Sequence, residues 1–210
     1  GLEAITATGS DNTITNSGSI TSTANDGIYS GINATNAIIT NSGSIDAGDD
    51  GIDSNGDDAT ITNSGIIDAV DDGIQSVGDD ATITNSGTIT SKALRGIFSF
   101  GANDTITNSG IINATNDGIH SRGTGAIITN SGSIDAGIFG IFSMSTNATI
   151  TNSGTINAAS VGIHSGGAGS IINNSGHITG TNYAITGGDT DSLTLNLLKG
   201  SQLMGAIDLG

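Results

Sequence analysis

The chain has no cysteine, no proline and no tryptophan among its 210 residues. Without cysteine there is neither a disulfide framework nor a thiolate metal site. An exported protein can lack cysteine too, so the redox compartment stays open. Without proline no element is interrupted, which suits a chain built almost wholly of paired strands. Aromatics are scarce, at 3%. Four basic residues stand against twenty acidic ones, for a net charge of −16. That balance argues against nucleic acid, whose binding rests on Lys and Arg neutralising phosphates, and against anionic lipid surfaces. It favours solubility and cations. No apolar run approaches the ~20 residues of a membrane-spanning helix, and no basic segment followed by an apolar one opens the chain. The sequence starts mid-pattern at Gly1, as an excised fragment or processed product would.

What is present is repetition. The phrase Asn-Ser-Gly is centred on Ser17, Ser42, Ser64, Ser86, Ser109, Ser131, Ser153 and Ser175, in steps of 25, 22, 22, 23, 22, 22 and 22. A fixed period of this size marks a stacked-repeat protein. Leucine-rich repeats are excluded, because Leu is almost confined to the last eighteen residues. In the coil that begins at Ala59, Ile61, Ile67 and Ile74 are followed by Ile83, with gaps of six, seven and nine. Around each Ile the neighbours alternate, which is the strand signature. Gly, Asn, Ser and Asp punctuate the joins. Three short strands and three corners per period predict an all-β fold: a right-handed, three-sided parallel β-helix of about eight 22-residue coils. At ~4.8 Å per coil the rod is about 40 Å long. Residues 1–185 are its regular coils; residues 186–210 form a divergent Leu-rich terminal coil or cap.

The repeated phrase has a structural explanation. Asn16, Asn41, Asn63, Asn85, Asn108, Asn130, Asn152 and Asn174 stack into one column, where each side-chain amide bonds its neighbours above and below. The glycine that follows is expected to supply a positive φ at the corner. The serines are not nucleophiles, since eight corners have no matching set of histidines to act as base.

Stacking lets the outward columns be read directly. One column runs Asp26, Asp50, Asp72, Arg95, Asp117, Phe139, Val161, Tyr183. With Asp57, Asp58, Asp79 and Asp80 at nearby corners, and Asp49 and Asp71 on the same flank, it suggests a divalent-cation site. The candidate ligands are Asp50, Asp57, Asp58, Asp72, Asp79 and Asp80, and hard oxygen donors suit Ca²⁺. The plainer alternative is a solvated acidic corner, and no cofactor is required. Arg95 is expected to pair with both Asp72 and Asp117. A second column runs Tyr29, Asp53, Gln75, Phe98, His120, Phe142, His164, with Phe100, Arg122 and Met144 two residues on in their coils. Phe98, Phe100, His120, Phe142 and His164 are candidate contacts for a glycan or a protein. Alternatively, ring-on-ring stacking only stabilises the ladder. A third pair of columns, Thr13 to Ile171 and Thr15 to Thr151, resembles the flat Thr-x-Thr surface of some ice-binding solenoids, although three isoleucines interrupt it. Asp50, Asp72 and Arg95 superficially match β-helical polysaccharide lyases, but a working site needs groups converging in a cleft. The chain reads as non-enzymatic, with no catalytic residues.

After Ile185 the pattern changes to "NYAITGGDTDSLTLNLLKGSQLMGAIDLG". Coils of the "TITNSGTI" type followed by this ending resemble the passenger domains of autotransporters, the type V secreted surface proteins of Gram-negative bacteria. The resemblance covers essentially all 210 residues. It implies an extracellular structural stalk or adhesin segment at the bacterial outer-membrane surface. It also implies contact with host or bacterial surface glycans or proteins. Membrane attachment would come only through a C-terminal β-barrel that is absent from this chain. Open coil edges at both ends would favour end-to-end self-association.

Overall fold

The computed structural model describes residues 3–188 and 192–210. Gly1, Leu2 and residues 189–191, the last within the Leu-rich ending, lie outside the described residues. Each coil carries three inward isoleucines, and these columns drive the winding. Ile5, Ile14, Leu195 and Leu203 in the end coils are partly buried, while Ile61, Ile67, Ile74, Ile83, Ile89, Ile97 and their counterparts in the interior coils are fully buried. Each such side chain contributes about 1.5–3 kcal/mol relative to exposure. Ile61, Ile83 and Ile106 sit in successive layers, each directly paired with the next.

In one coil the strands are Thr60–Asn63 on the first face, Ile66–Ala69 on the second and Ile74–Ser76 on the third. All three pair in parallel with their equivalents one coil before and one coil after. The first-face strands form a nine-stranded sheet. The second and third faces join into one 17-stranded sheet, because strands His177–Gly187 and Gln202–Asp208 each run through the corner between them. No helix occurs among the described residues.

The rod has about nine turns: the eight regular coils and one more formed by the divergent ending. The ending winds on as a further coil, with Leu195 stacked on Ile172, Leu203 on Ile178 and Ile207 on Ile185. Leucine replaces isoleucine on two of these layers, so the phrase disappears while the geometry continues. One expectation is corrected here, and it concerns glycine. Gly87 and its equivalents do not have positive φ; they are required for close approach. Ser86 and Gly87 both donate their N–H groups to the Asn63 carbonyl, at 2.8 and 3.2 Å, which pulls the corner onto the coil before it. A Cβ on Gly87 would drive into the Gly65 carbonyl oxygen. Positive φ instead occurs at the third-to-first corner, in a file of Asp11, Asn36, Asp58, Asp80, Asn103, Gly125, Asn147 and Gly169. Asn and Asp are the non-glycine residues that best tolerate the left-handed region, so that file's composition follows from its backbone.

Gly87→Ala is therefore expected to lower stability by about 1–3 kcal/mol, because backbone of the neighbouring coil must give way. Urea unfolding followed by circular dichroism checks it, with the exposed neighbour Ser86→Ala as a reference that stays within about 0.5 kcal/mol of the parent. Equal losses for the two substitutions would remove the close-approach argument.

Candidate functional site

The third face carries nearly all the chemistry. Its recurring unit is X-Gly-Ile-Z-Ser, as in Asp72-Gly73-Ile74-Gln75-Ser76. The Ile points inward, and the Gly lets the next coil approach. The X and Z side chains then lie side by side, so the two columns read separately from the sequence meet as one strip. Along the rod it runs Asp26/Tyr29, Asp50/Asp53, Asp72/Gln75, Arg95/Phe98, Asp117/His120, Phe139/Phe142, Val161/His164. One end is acidic and the other aromatic.

At the acidic end each X carboxylate has a backbone task. Asp26 Oδ1 accepts the Asp50 N–H at 3.2 Å, Asp50 Oδ1 the Asp72 N–H at 2.8 Å, and Asp72 Oδ1 the Arg95 N–H at 2.9 Å. The carboxylates thus satisfy main-chain donors at a corner. They are not the outward, solvated column expected from the sequence: Asp50 and Asp72 are buried. Gln75 Nε2 donates to Asp50 Oδ2 at 3.1 Å and to Asp53 Oδ1 at 3.2 Å, and Asn55 also bonds Asp53. Burial is the main force on these groups. It pushes Asp50 up to about 8, aided by the nearby charges of Asp72, Asp53 and Asp26 and opposed by the Asp72 amide. Asp26 is raised to about 6, again chiefly by burial. Asp53 and Asp72 are raised by burial against the hydrogen bonds and, for Asp72, the Arg95 charge that lower them.

Arg95 divides the strip. Its Nε donates to Asp72 Oδ1 at 3.0 Å, and its guanidinium lies 3.8 Å from the centroid of the Phe98 ring. It does not also pair with Asp117 as expected. The Arg95 side chain is turned back to Asp72, and Asp117 Oδ2 instead faces His120 Nδ1 at 2.8 Å. Beyond Arg95 the rings pack continuously. Phe98 meets His120 edge-on at 5.3 Å, His120 meets Phe142 at 4.7 Å, and Phe142 stacks on His164 at 5.0 Å. Phe139 joins from the X file, 4.8 Å from Phe142. Burial lowers the His164 pKa. The structure therefore brings Phe98, His120, Phe142 and His164 together: Phe98 is only 8% exposed, His120, Phe142 and His164 are half-buried, and Phe100 is 50% exposed. The ring ladder is mainly packed against itself, and Phe100 is its open member.

The six candidate cation ligands fall at two different corners. Asp50 and Asp72 precede the third-face strand; Asp57, Asp58, Asp79 and Asp80 follow it. Asp49 and Asp71 belong with the first pair, not on the flank of the other four. Asp57 Oδ1 accepts the Asp79 N–H at 2.9 Å and Asp79 Oδ1 the Ala102 N–H at 2.7 Å. Asp58 and Asp80 occupy the left-handed file. Among the described residues no group of three or more His, Cys, Asp or Glu side chains is arranged to hold a metal ion.

Sequence reading missed Asp104. It is fully buried in a file whose other members are Asn12, Ala37, Ala59, Ala81, Ala126, Ala148 and Ser170, where it accepts the Ala81 N–H at 2.8 Å and the Ser99 hydroxyl. Burial lifts it to about 6. The signal was present as "GANDTITN" where the coil before has "GDDATITN", one charged letter in a column mainly of alanine.

No family model, no curated protein and no solved structure matches this chain.

Proposed function

We propose that the chain is a rigid rod segment of an extracellular bacterial surface protein, acting as a stalk or adhesin segment of the autotransporter-passenger kind. One observation carries this reading: residue-on-residue register persists through nine first-face strands, and the length irregularities are absorbed in short outward bulges. Ile32, in the first such bulge, is 76% exposed and leaves the core columns undisturbed. Long loops that would wall a substrate cleft are absent among the described residues. The architecture favours reach: nearest-neighbour stacking lets coils be added without altering the rest, and the negative charge opposes lateral clumping.

Two measurements test it. Antibody raised against the chain is expected to label intact producing cells, and added protease is expected to remove the signal without lysis. Recovery of the protein only from the cytosolic fraction would overturn the surface role. In the purified chain, duplicating residues 59–80 is expected to lengthen the rod by about 5 Å per added coil in small-angle scattering, with folding retained.

A further inference from the structure

The second face holds a feature that a plain rod does not need. The coil around residues 90–95 is one residue longer than its neighbours. Lys92 N–H bonds the Ala69 carbonyl, Thr115 N–H the Ser91 carbonyl and Asn116 N–H the Leu94 carbonyl. The stack is thus in register on both sides of Ala93, and the extra residue is displaced into solvent. Thr115 Oγ1 ties the resulting ridge down by donating to the Lys92 carbonyl at 2.8 Å. Beside the ridge lies an open cleft of about 410 Å³, within the range of small-molecule sites.

Three successive coils present Thr90, Asn113 and Asp135 along this cleft in direct register. Among the described residues the side chains of Asn113 and Asp135 are exposed, and neither makes a hydrogen bond within the chain. The Lys92 ammonium stands at the rim, held 2.9 Å from Asp68. Ala114 and Ala136 also border the cleft but are nearly buried, at 9% and 5% exposure.

We propose that this cleft binds a neutral oligosaccharide. A carboxylate accepts two hydroxyl protons, an amide both donates and accepts, and an ammonium donates; at ~4.8 Å spacing along the stack these groups suit the hydroxyls of one sugar ring and its neighbour. Asp46, Asp68 and Asp135 on this face and the net charge of −16 turn away uronic, sialylated and phosphorylated glycans. A peptide strand is disfavoured, because the second-face backbone is already paired on both sides and offers no edge. A cation is disfavoured, because one free carboxylate falls short of the six to eight oxygens Ca²⁺ takes. The cleft goes beyond the stalk reading, and binding in solution does not depend on where the chain is displayed.

The purified chain is probed on an array of neutral and anionic glycans, and any neutral hit is titrated by saturation-transfer NMR and calorimetry. Binding is expected to weaken at least about tenfold in Asp135→Ala and in Asn113→Ala, and to be unchanged in Phe100→Ala. All three positions are exposed, and unchanged melting curves show that folding is retained. Thr90→Arg, which fills the cleft, is expected to abolish binding. Absence of any neutral hit, a preference for anionic glycans, retention of affinity in both Asp135→Ala and Asn113→Ala, or its loss in Phe100→Ala would each overturn the assignment; the last would move it to the ring strip.

Discussion

Asn108→Ala is expected to destabilise the rod by about 2–5 kcal/mol, since each buried polar group left unpaired costs about 1–3 kcal/mol. Asn85 Nδ2 donates to Asn108 Oδ1, and Asn108 Nδ2 to Asn130 Oδ1, both at 2.8 Å and fully buried. Truncation strands a donor on Asn85 and an acceptor on Asn130 in a place water does not reach. All seven ladder bonds, from Asn16 to Asn174, run in one direction, each amide donating to the next coil. Aligned dipoles of this kind strengthen one another, so a break in the middle is felt on both sides. The ladder ends where the phrase ends: Asn174 is stacked on Leu197, and its Nδ2 donates instead to Ser201 Oγ at 2.6 Å. Asn108→Asp discriminates further. It keeps the acceptor facing Asn85 but sets a buried, proton-free oxygen against Asn130 Oδ1, so at neutral pH it is expected to cost at least as much as alanine. Urea midpoints decide both cases against the exposed reference Asn157→Ala. A loss at Asn108 no larger than at Asn157 would show that the ladder contributes nothing beyond local polarity.

The fold was legible because its determinants are periodic. An isoleucine column and an asparagine column each specify register on their own, and they agree. A one-residue slip would put Ile83 outside and Thr84 inside, so the solution is unique. The corners were legible only in part. Gly87 and Asp80 are both common turn residues, and composition does not say which holds positive φ and which merely makes room. That depends on which carbonyls the two N–H groups reach, a relation between coils. The same limit applied to the site. Columns at fixed offsets were found, but whether Asp72 faces water or a main-chain amide depends on corner curvature, and curvature brought Asp117 onto His120 instead of Arg95. The cleft beside Lys92 was foreshadowed only as a one-residue irregularity. Its depth arises from the placement of Ala93 outside the stack, which no column comparison displays.

Raising the pH from 6.5 to 8.5 is expected to lower the stability of the rod by about 1–2 kcal/mol, at most ~1.4 kcal/mol per pH unit for one titrating group. Asp50 ordinarily titrates at 3.8 and is lifted to about 8 in the folded chain. The folded state therefore holds a proton that the unfolded chain has released. A raised carboxyl contributes stability that is complete below its ordinary pKa and is lost as the pH climbs through its folded value. Asp26 and Asp104, each lifted to about 6, act in the same sense at lower pH. His164 acts oppositely: its pKa is lowered, so its contribution is present above the ordinary value of 6.5 and is lost as the pH falls below that toward the lowered value. Between 6.5 and 8.5 Asp50 dominates, which makes that window diagnostic. Asp50→Asn keeps an oxygen for the Asp72 N–H and removes the charge that Asp26, Asp53 and Asp72 oppose. It is expected to flatten the slope and to be the more stable protein at pH 8.5. Asp50→Ala flattens the slope in the same way but also removes the acceptor of the Asp72 N–H, so it is expected to be the less stable of the two variants throughout the window. Urea midpoints of the three proteins across this window test the argument, and a parent whose stability is flat or rising with pH there would show that the buried acidic end is ionised in the folded rod.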